Sequence, residues 1–147
     1  MLKLPVEFKS SASASGDFQK VWAIQSGALE AECAVPAEFG GKGGGFSPED
    51  LYLQALINCF IGTFKVYAKA SKIDFGNLAV FGALTVDRNE NGAVRMQKCE
   101  LEIELNGVLS EGRVKTLVEK VFRDGFILNS VKTEIVYQLK ITENQNA

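Results

Sequence analysis

The residues best equipped for chemistry in this chain of 147 residues are three thiols, Cys33, Cys59 and Cys99, in a sequence that contains no histidine. Without imidazole there is no Ser-His-Asp or Cys-His arrangement, no histidine metal ligand and no side chain whose ordinary pKa lies near neutrality. Any reaction must therefore use thiol, carboxylate, amine or hydroxyl groups. The cysteines form no close CxxC pair of the kind that binds zinc or makes a thioredoxin-like motif, and an odd number fits a reducing compartment. Neither a metal nor a cofactor is expected.

The three thiols differ in setting. Cys59 falls in the middle of an apolar helical stretch with Tyr52, Leu56, Thr63 and Tyr67 near its face, and a thiol buried in such surroundings is ordinarily inert. Pattern alone favours packing there. Cys99 has aliphatic neighbours at i+2 and i+4 and reads as a core residue, while nothing near Cys33 marks it as reactive. A second feature is the loop GGKGGGF, Gly40 to Phe46, which leads into a helix N-terminus but matches neither GxxxxGK[ST] nor GxGxxG. With Glu49 and Asp50 opposing an anion, the loop reads as a flexible or tightly turning lead-in.

These residues sit in elements that the pattern outlines. Leu4, Val6 and Phe8 alternate with polar neighbours, Ser10 to Gly16 suggests a turn, and Val21–Ile24 and Ala28–Val35 read as further strands of an antiparallel meander. Ser47, Pro48, Glu49 and Asp50 form a strong helix start, with a cap, a proline and early acids. Leu51 to Phe64 then carries no charge, and Lys65, Lys69 and Lys72 close a helix expected from about Pro48 to about Ser71. So apolar a helix needs cover on more sides than one small sheet offers, which favours burial against a second copy of the chain.

Leu78–Val86 alternates, Asn89-Glu90-Asn91-Gly92 offers a hairpin turn, and Cys99, Leu101, Ile103 and Leu105 face one way against Glu100, Glu102 and Glu104. Ser110-Glu111 opens a second helix, marked by Val114, Leu117, Val118, Val121 and Phe122, with Gly125 as terminator. After a turn at Asn129-Ser130, a last strand carries Ile135, Tyr137, Leu139 and Ile141, and ENQNA reads as a frayed tail. The order predicts a single α+β domain, residues 1–147, with mainly antiparallel pairing.

Composition bounds the class. At 46% hydrophobic and 23% charged, with a net charge of −2, the chain is an ordinary globular domain without the basic footprint of a non-specific nucleic-acid binder. No run reaches the roughly 18 apolar residues of a membrane span and no signal core opens the sequence, so the expected location is cytoplasmic.

Gly40-Gly41 through Gly45, then Ser47-Pro48-Glu49-Asp50-Leu51 and Cys59 ten residues after Glu49, resembles the OsmC/Ohr family of osmotically inducible and organic hydroperoxide resistance proteins. The resemblance covers nearly the whole chain. It implies the OsmC-like fold, antiparallel sheets around a long buried central helix, in an intertwined homodimer. It also implies a thiol-dependent peroxidase in which the cysteine matching Cys59 attacks a hydroperoxide and a second cysteine captures the sulfenic acid. An N-terminal arginine, held by the glutamate matching Glu49, favours the thiolate, and an external dithiol reduces the disulfide. On one helix Glu49 and Cys59 are about 15 Å apart, so any cooperation between them must join two subunits.

Two of the four parts are replaced. Gly125 occupies the second cysteine's place, and the first arginine in the sequence is Arg88. Lys20 or Lys42 could supply charge but not a planar fork, and Cys33 is an unsupported substitute thiol. Two readings follow. In one, Cys59 and Glu49 serve reduction of organic hydroperoxides with an external thiol or dithiol as reductant. In the other, the scaffold binds a small apolar or thiol-reactive ligand at the dimer interface, and Cys59 is packing.

Overall fold

The computed structural model describes residues 2–143. Two compact units divide the chain, Met1–Leu51 and Tyr52–Ala147. The first holds a sheet in the order β1 (Ser11–Ser13), β2 (Trp22–Ser26) and β3 (Leu29–Cys33), antiparallel throughout. The strand expected at Leu4–Phe8 is absent, and β1 falls inside the segment read as a turn. Its three residues are exposed and pair through their backbones with Ala23, Ile24 and Gln25. An exposed edge strand buries no side chain, so it needs no apolar alternation and leaves none to read.

The glycine loop folds back on β3. Ala34 N–H donates to Phe46 O and Phe46 N–H to Glu32 O, each at 2.9 Å, while the Gly41 and Gly43 amides bond the Pro36 and Val35 carbonyls. A Cβ at Gly45 would stand 2.8 Å from Glu32 O, so only glycine admits this approach. The loop is the tight lead-in, and these amides are committed to backbone carbonyls.

Helix α1 (Pro48–Ala70) starts where its cap residues dictate. Ser47 N–H donates to Asp50 Oδ2 at 2.9 Å and Asp50 N–H to Ser47 Oγ at 3.0 Å, a reciprocal capping box around a buried serine. The helix closes with Lys72 in the left-handed region, φ 55°, and with Ile73 N–H bonded to Ala68 O, a Schellman end without its usual glycine. At 23 residues α1 is long and apolar enough to meet the length criterion of a membrane span. In this structure Leu56, Phe60, Phe64 and Ala68 form an i, i+4 stripe buried in the protein core.

The second unit builds that core on a sheet of β4 (Asn77–Arg88), β5 (Val94–Val108) and β6 (Glu134–Glu143), with β5 central. The expected alternation holds along β5: Cys99, Leu101, Ile103 and Leu105 are buried and the three glutamates are exposed. The β4–β5 hairpin closes at Asn89–Gly92 as expected, with Asn89 Oδ1 accepting the Asn91 and Ala93 amides. β5 and β6 run parallel, whereas the other three strand pairs are antiparallel. Parallel pairing follows because α2 (Glu111–Asp124) crosses over between them. Gly82 on β4 lets the helix approach: a Cβ there would meet Leu53 Cδ1 at 2.9 Å and Ile57 Cδ1 at 3.1 Å. Of the tail ENQNA, Glu143 ends β6 and residues 144–147 lie outside the described residues.

Candidate thiol site

The burial of the Leu56–Phe60–Phe64 stripe sets the rotation of α1 and leaves Cys59, one position before Phe60, half-buried on its flank. The end of α2 then comes to the thiol. Ser110 Oγ accepts Arg113 N–H to start α2, Val114, Leu117, Val118 and Val121 anchor it in the core, and its last turn stops at Gly125. A Cβ placed on Gly125 would lie 3.3 Å from Cys59 Sγ, with Val121 O at 2.9 Å and Leu128 Cδ1 at 3.0 Å. Gly125 has φ −59° and ψ 126°, a conformation open to any residue. Close packing, and not the left-handed turn expected of a terminating glycine, accounts for the small residue.

Both sides of Gly125 are pinned. Before it, Asp124 Oδ2 accepts Tyr67 O–H at 3.2 Å and Asp124 Oδ1 accepts Arg123 Nε–H at 3.1 Å. The Arg123 hydrogen bond holds the Asp124 carboxyl below the usual carboxylate range, and burial followed by the Asp124 charge raises the Tyr67 phenol. After it, Asn129 Nδ2 donates to Phe122 O at 3.0 Å and Gly125 O at 2.7 Å, which satisfies carbonyls at the end of α2. An aromatic series flanks the site: Phe60 and Phe122 have ring centroids 5.2 Å apart, and Phe122 stacks on Tyr137 at 4.2 Å.

The other thiols are withdrawn. Cys99 is 0% exposed within β5, and Cys33 is 3% exposed at the end of β3. Burial raises both pKa values, and Glu100 adds to the shift at Cys99. All three cysteines are free. Glu49, second in α1, is half-buried, and among the described residues its carboxylate makes no hydrogen bond or ion pair. It stands ten residues from Cys59 on one continuous helix, about 15 Å along the axis. Lys20 and Lys42 are exposed.

The structure therefore brings Gly125 to Cys59, while Glu49 stands ten residues before it on α1. Sequence reasoning placed Tyr67 near the thiol's face and a turn at Asn129-Ser130, but missed Asp124, whose bond to Tyr67 arises only when α2 docks on α1. Among the described residues no group of three or more cysteine or acidic side chains could hold a metal ion. A half-reachable sulfur packed against the end of α2, with no second thiol beside it, can attack an electrophile, but it needs a partner from outside to complete a redox cycle.

The profile of the family described as OsmC-like protein matches residues 41–140. An organic hydroperoxide resistance protein of Xanthomonas axonopodis pv. citri is 29% identical over 117 residues, 78% of this chain and 80% of that protein. Two solved structures share the architecture. An OsmC-like protein from Mycoplasma pneumoniae superimposes with a TM-score of 0.81 at 17% identity, covering 95% of this chain and 99% of its own. An organic hydroperoxide resistance protein from Elizabethkingia anophelis gives 0.72 at 22% identity, covering 97% and 100%. With α1, β4, β5, α2 and the Cys59–Gly125 approach all inside the matched region, this chain belongs to the OsmC-like protein family.

Proposed function

We propose that this protein reduces organic hydroperoxides through Cys59 alone, using an external thiol where two-cysteine relatives use an internal one. The observation that carries the reading is the approach of Gly125 to Cys59 Sγ: the place assigned to a second thiol lies against the first, and the side chain there is missing. The Cys59 thiolate attacks the outer oxygen of ROOH, the O–O bond breaks, and ROH leaves after taking a proton. The sulfur, oxidised by two electrons, becomes a sulfenic acid. One external thiol condenses with it, releasing water and forming a mixed disulfide. A second external thiol displaces Cys59 and leaves as the oxidised disulfide, so two thiols and one ROOH yield ROH, water and a disulfide.

Two copies complete the site in this reading. Leu4, Val6 and Phe8 are exposed in an alternating segment, and Val66 on α1 is 64% exposed, apolar surface that a homodimer would cover. Antiparallel packing of two α1 helices offsets the ten-residue separation and carries Glu49 of one copy toward Cys59 of the other. The expected setting is the reducing cytoplasm, which supplies the thiol.

Single-turnover consumption of cumene hydroperoxide tests the reading. Wild type should react at least tenfold faster than free cysteine and give a dimedone-trappable adduct at Cys59, and Cys59→Ser should abolish both. A rate equal to that of free cysteine rejects it. A second reading, a scaffold that binds a small apolar ligand, draws on Leu128, which is 6% exposed and fills the space beside the thiol with hydrocarbon. It would be favoured by a ligand retained on purification and by a Cys59→Ala phenotype equal to wild type.

A further inference from the structure

An open cavity of about 420 Å³ lies between the C-terminal end of α1 and one face of α2, a size within the usual range for small-molecule sites. Its floor is apolar, from Ile73 and Leu117, and its polar groups are Ser71, Thr116, Arg113 and Lys120. No carboxylate lines it. Arg113, Thr116, Leu117 and Lys120 fall at i, i+3, i+4 and i+7 of α2, so the helix turns all four to one side.

Both cations are held by neutral partners. Arg113 Nη2 donates to Ser71 O at 2.7 Å, which anchors the guanidinium at one end and leaves its remaining N–H donors. Lys120 Nζ sits 4.6 Å from the centroid of the Tyr67 ring, a contact that fixes the ammonium while keeping its hydrogen-bond donors. Among the described residues neither makes an ion pair; on α2, Glu111 pairs with Lys115, Glu119 makes no ion pair, and Asp124, which feels the Lys120 charge, gives its oxygens to Arg123 and Tyr67. The two α2 positions are about 10 Å apart along the helix, with the apolar floor between them.

From this arrangement we infer a binding site for an elongated dicarboxylate, one carboxylate on Arg113, the other on Lys120, and a short hydrocarbon chain over Ile73 and Leu117. The planar guanidinium suits a carboxylate in a two-bond fork, and the ammonium takes the second as a point charge. A monocarboxylate satisfies one of the two cations and leaves the other without a ligand carboxylate. The site is separate from Cys59 and does not rest on the peroxidase reading.

Titration calorimetry with azelate, octanoate and inorganic phosphate tests the inference on the full chain. Azelate should bind saturably and at least tenfold more tightly than octanoate or phosphate. Arg113→Gln and Lys120→Gln should each weaken azelate at least fivefold, and Lys115→Gln, outside the cavity, should not. Thermal unfolding of each variant without ligand separates lost binding from lost folding; a variant that does not fold is replaced by Arg113→Lys or Lys120→Met. Octanoate binding equal to azelate, azelate binding unchanged in both cavity variants, or no heat up to millimolar azelate overturns the inference.

Discussion

Gly125 presents its Cα hydrogen to the sulfur of Cys59, so close that a Cβ there would stand 3.3 Å from Sγ. A thiol introduced at this position is therefore within disulfide reach once the last turn of α2 gives by a few tenths of an ångström at Val121 O. Gly125→Cys is expected to form a bond to Cys59 under mild oxidation, seen as a loss of two protons and of two titratable thiols by mass spectrometry. The reduced variant should lose about 1–2 kcal/mol, since the same Cβ crowds Val121 O and Leu128 Cδ1. Failure to cross-link in the folded protein would show that α2 does not end against Cys59.

Thiol accessibility gives a second test. Cys59 is half-buried while Cys33 and Cys99 are buried with raised pKa values, so their thiolates are scarce and shielded. Iodoacetamide should label Cys59 first in the native protein, with Cys33 and Cys99 reacting only on unfolding. Peptide mapping over a time course reads the order, and early labelling of Cys99 would contradict the packing of β5.

The ends of α1 make opposite predictions. Ser47→Ala removes the cap that accepts Asp50 N–H and should cost about 1 kcal/mol. Lys72→Gly relieves a non-glycine residue at φ 55° and should stabilise by about 1 kcal/mol. Urea unfolding midpoints measure both. If the two substitutions shift stability in the same direction, the assigned ends are wrong.

The Tyr67–Asp124–Arg123 group predicts a pH dependence. Arg123 holds the Asp124 carboxyl low, so its contribution is present above the ordinary carboxylate range and is lost as pH falls through the depressed value. Tyr67 is shifted up, chiefly by burial, so its contribution is present below about pH 10 and is lost as pH rises through the raised value. Tyr67→Phe should move the Asp124 titration upward in a carboxylate NMR experiment and remove the alkaline loss. An unchanged Asp124 titration would mean that the hydrogen bond contributes nothing.

In the core, Phe60 is fully buried, stacks with Phe64 and packs at a tilt against Phe122. Phe60→Ala should cost about 3–5 kcal/mol by denaturant titration. A loss below about 1 kcal/mol would show that the helix stripe does not carry the core.

Local signals were legible wherever one residue or one period determines the outcome. Ser47, Pro48 and Asp50 placed the start of α1, the alternation through Cys99 to Leu105 placed the inner face of β5, and Asn89 to Gly92 placed the hairpin, because caps, pleats and turns are short-range. β1 escaped notice because Ser11–Ser13 buries nothing, and Leu4 to Phe8 misled because alternation reports amphipathicity even where no strand partner exists.

By itself, the sequence determined that this chain offers three thiols and no imidazole, and that Gly125 follows the apolar pattern of the second helix. The tertiary structure decided which thiol is reachable. The core sheet buried Cys99, α1 left Cys59 half-reachable, and docking of α2 on α1 brought Gly125 to Cys59 and Asp124 to Tyr67. Those contacts join residues more than fifty positions apart. No local propensity encodes such distances; they follow from burying the apolar stripes of two helices and a sheet in one core.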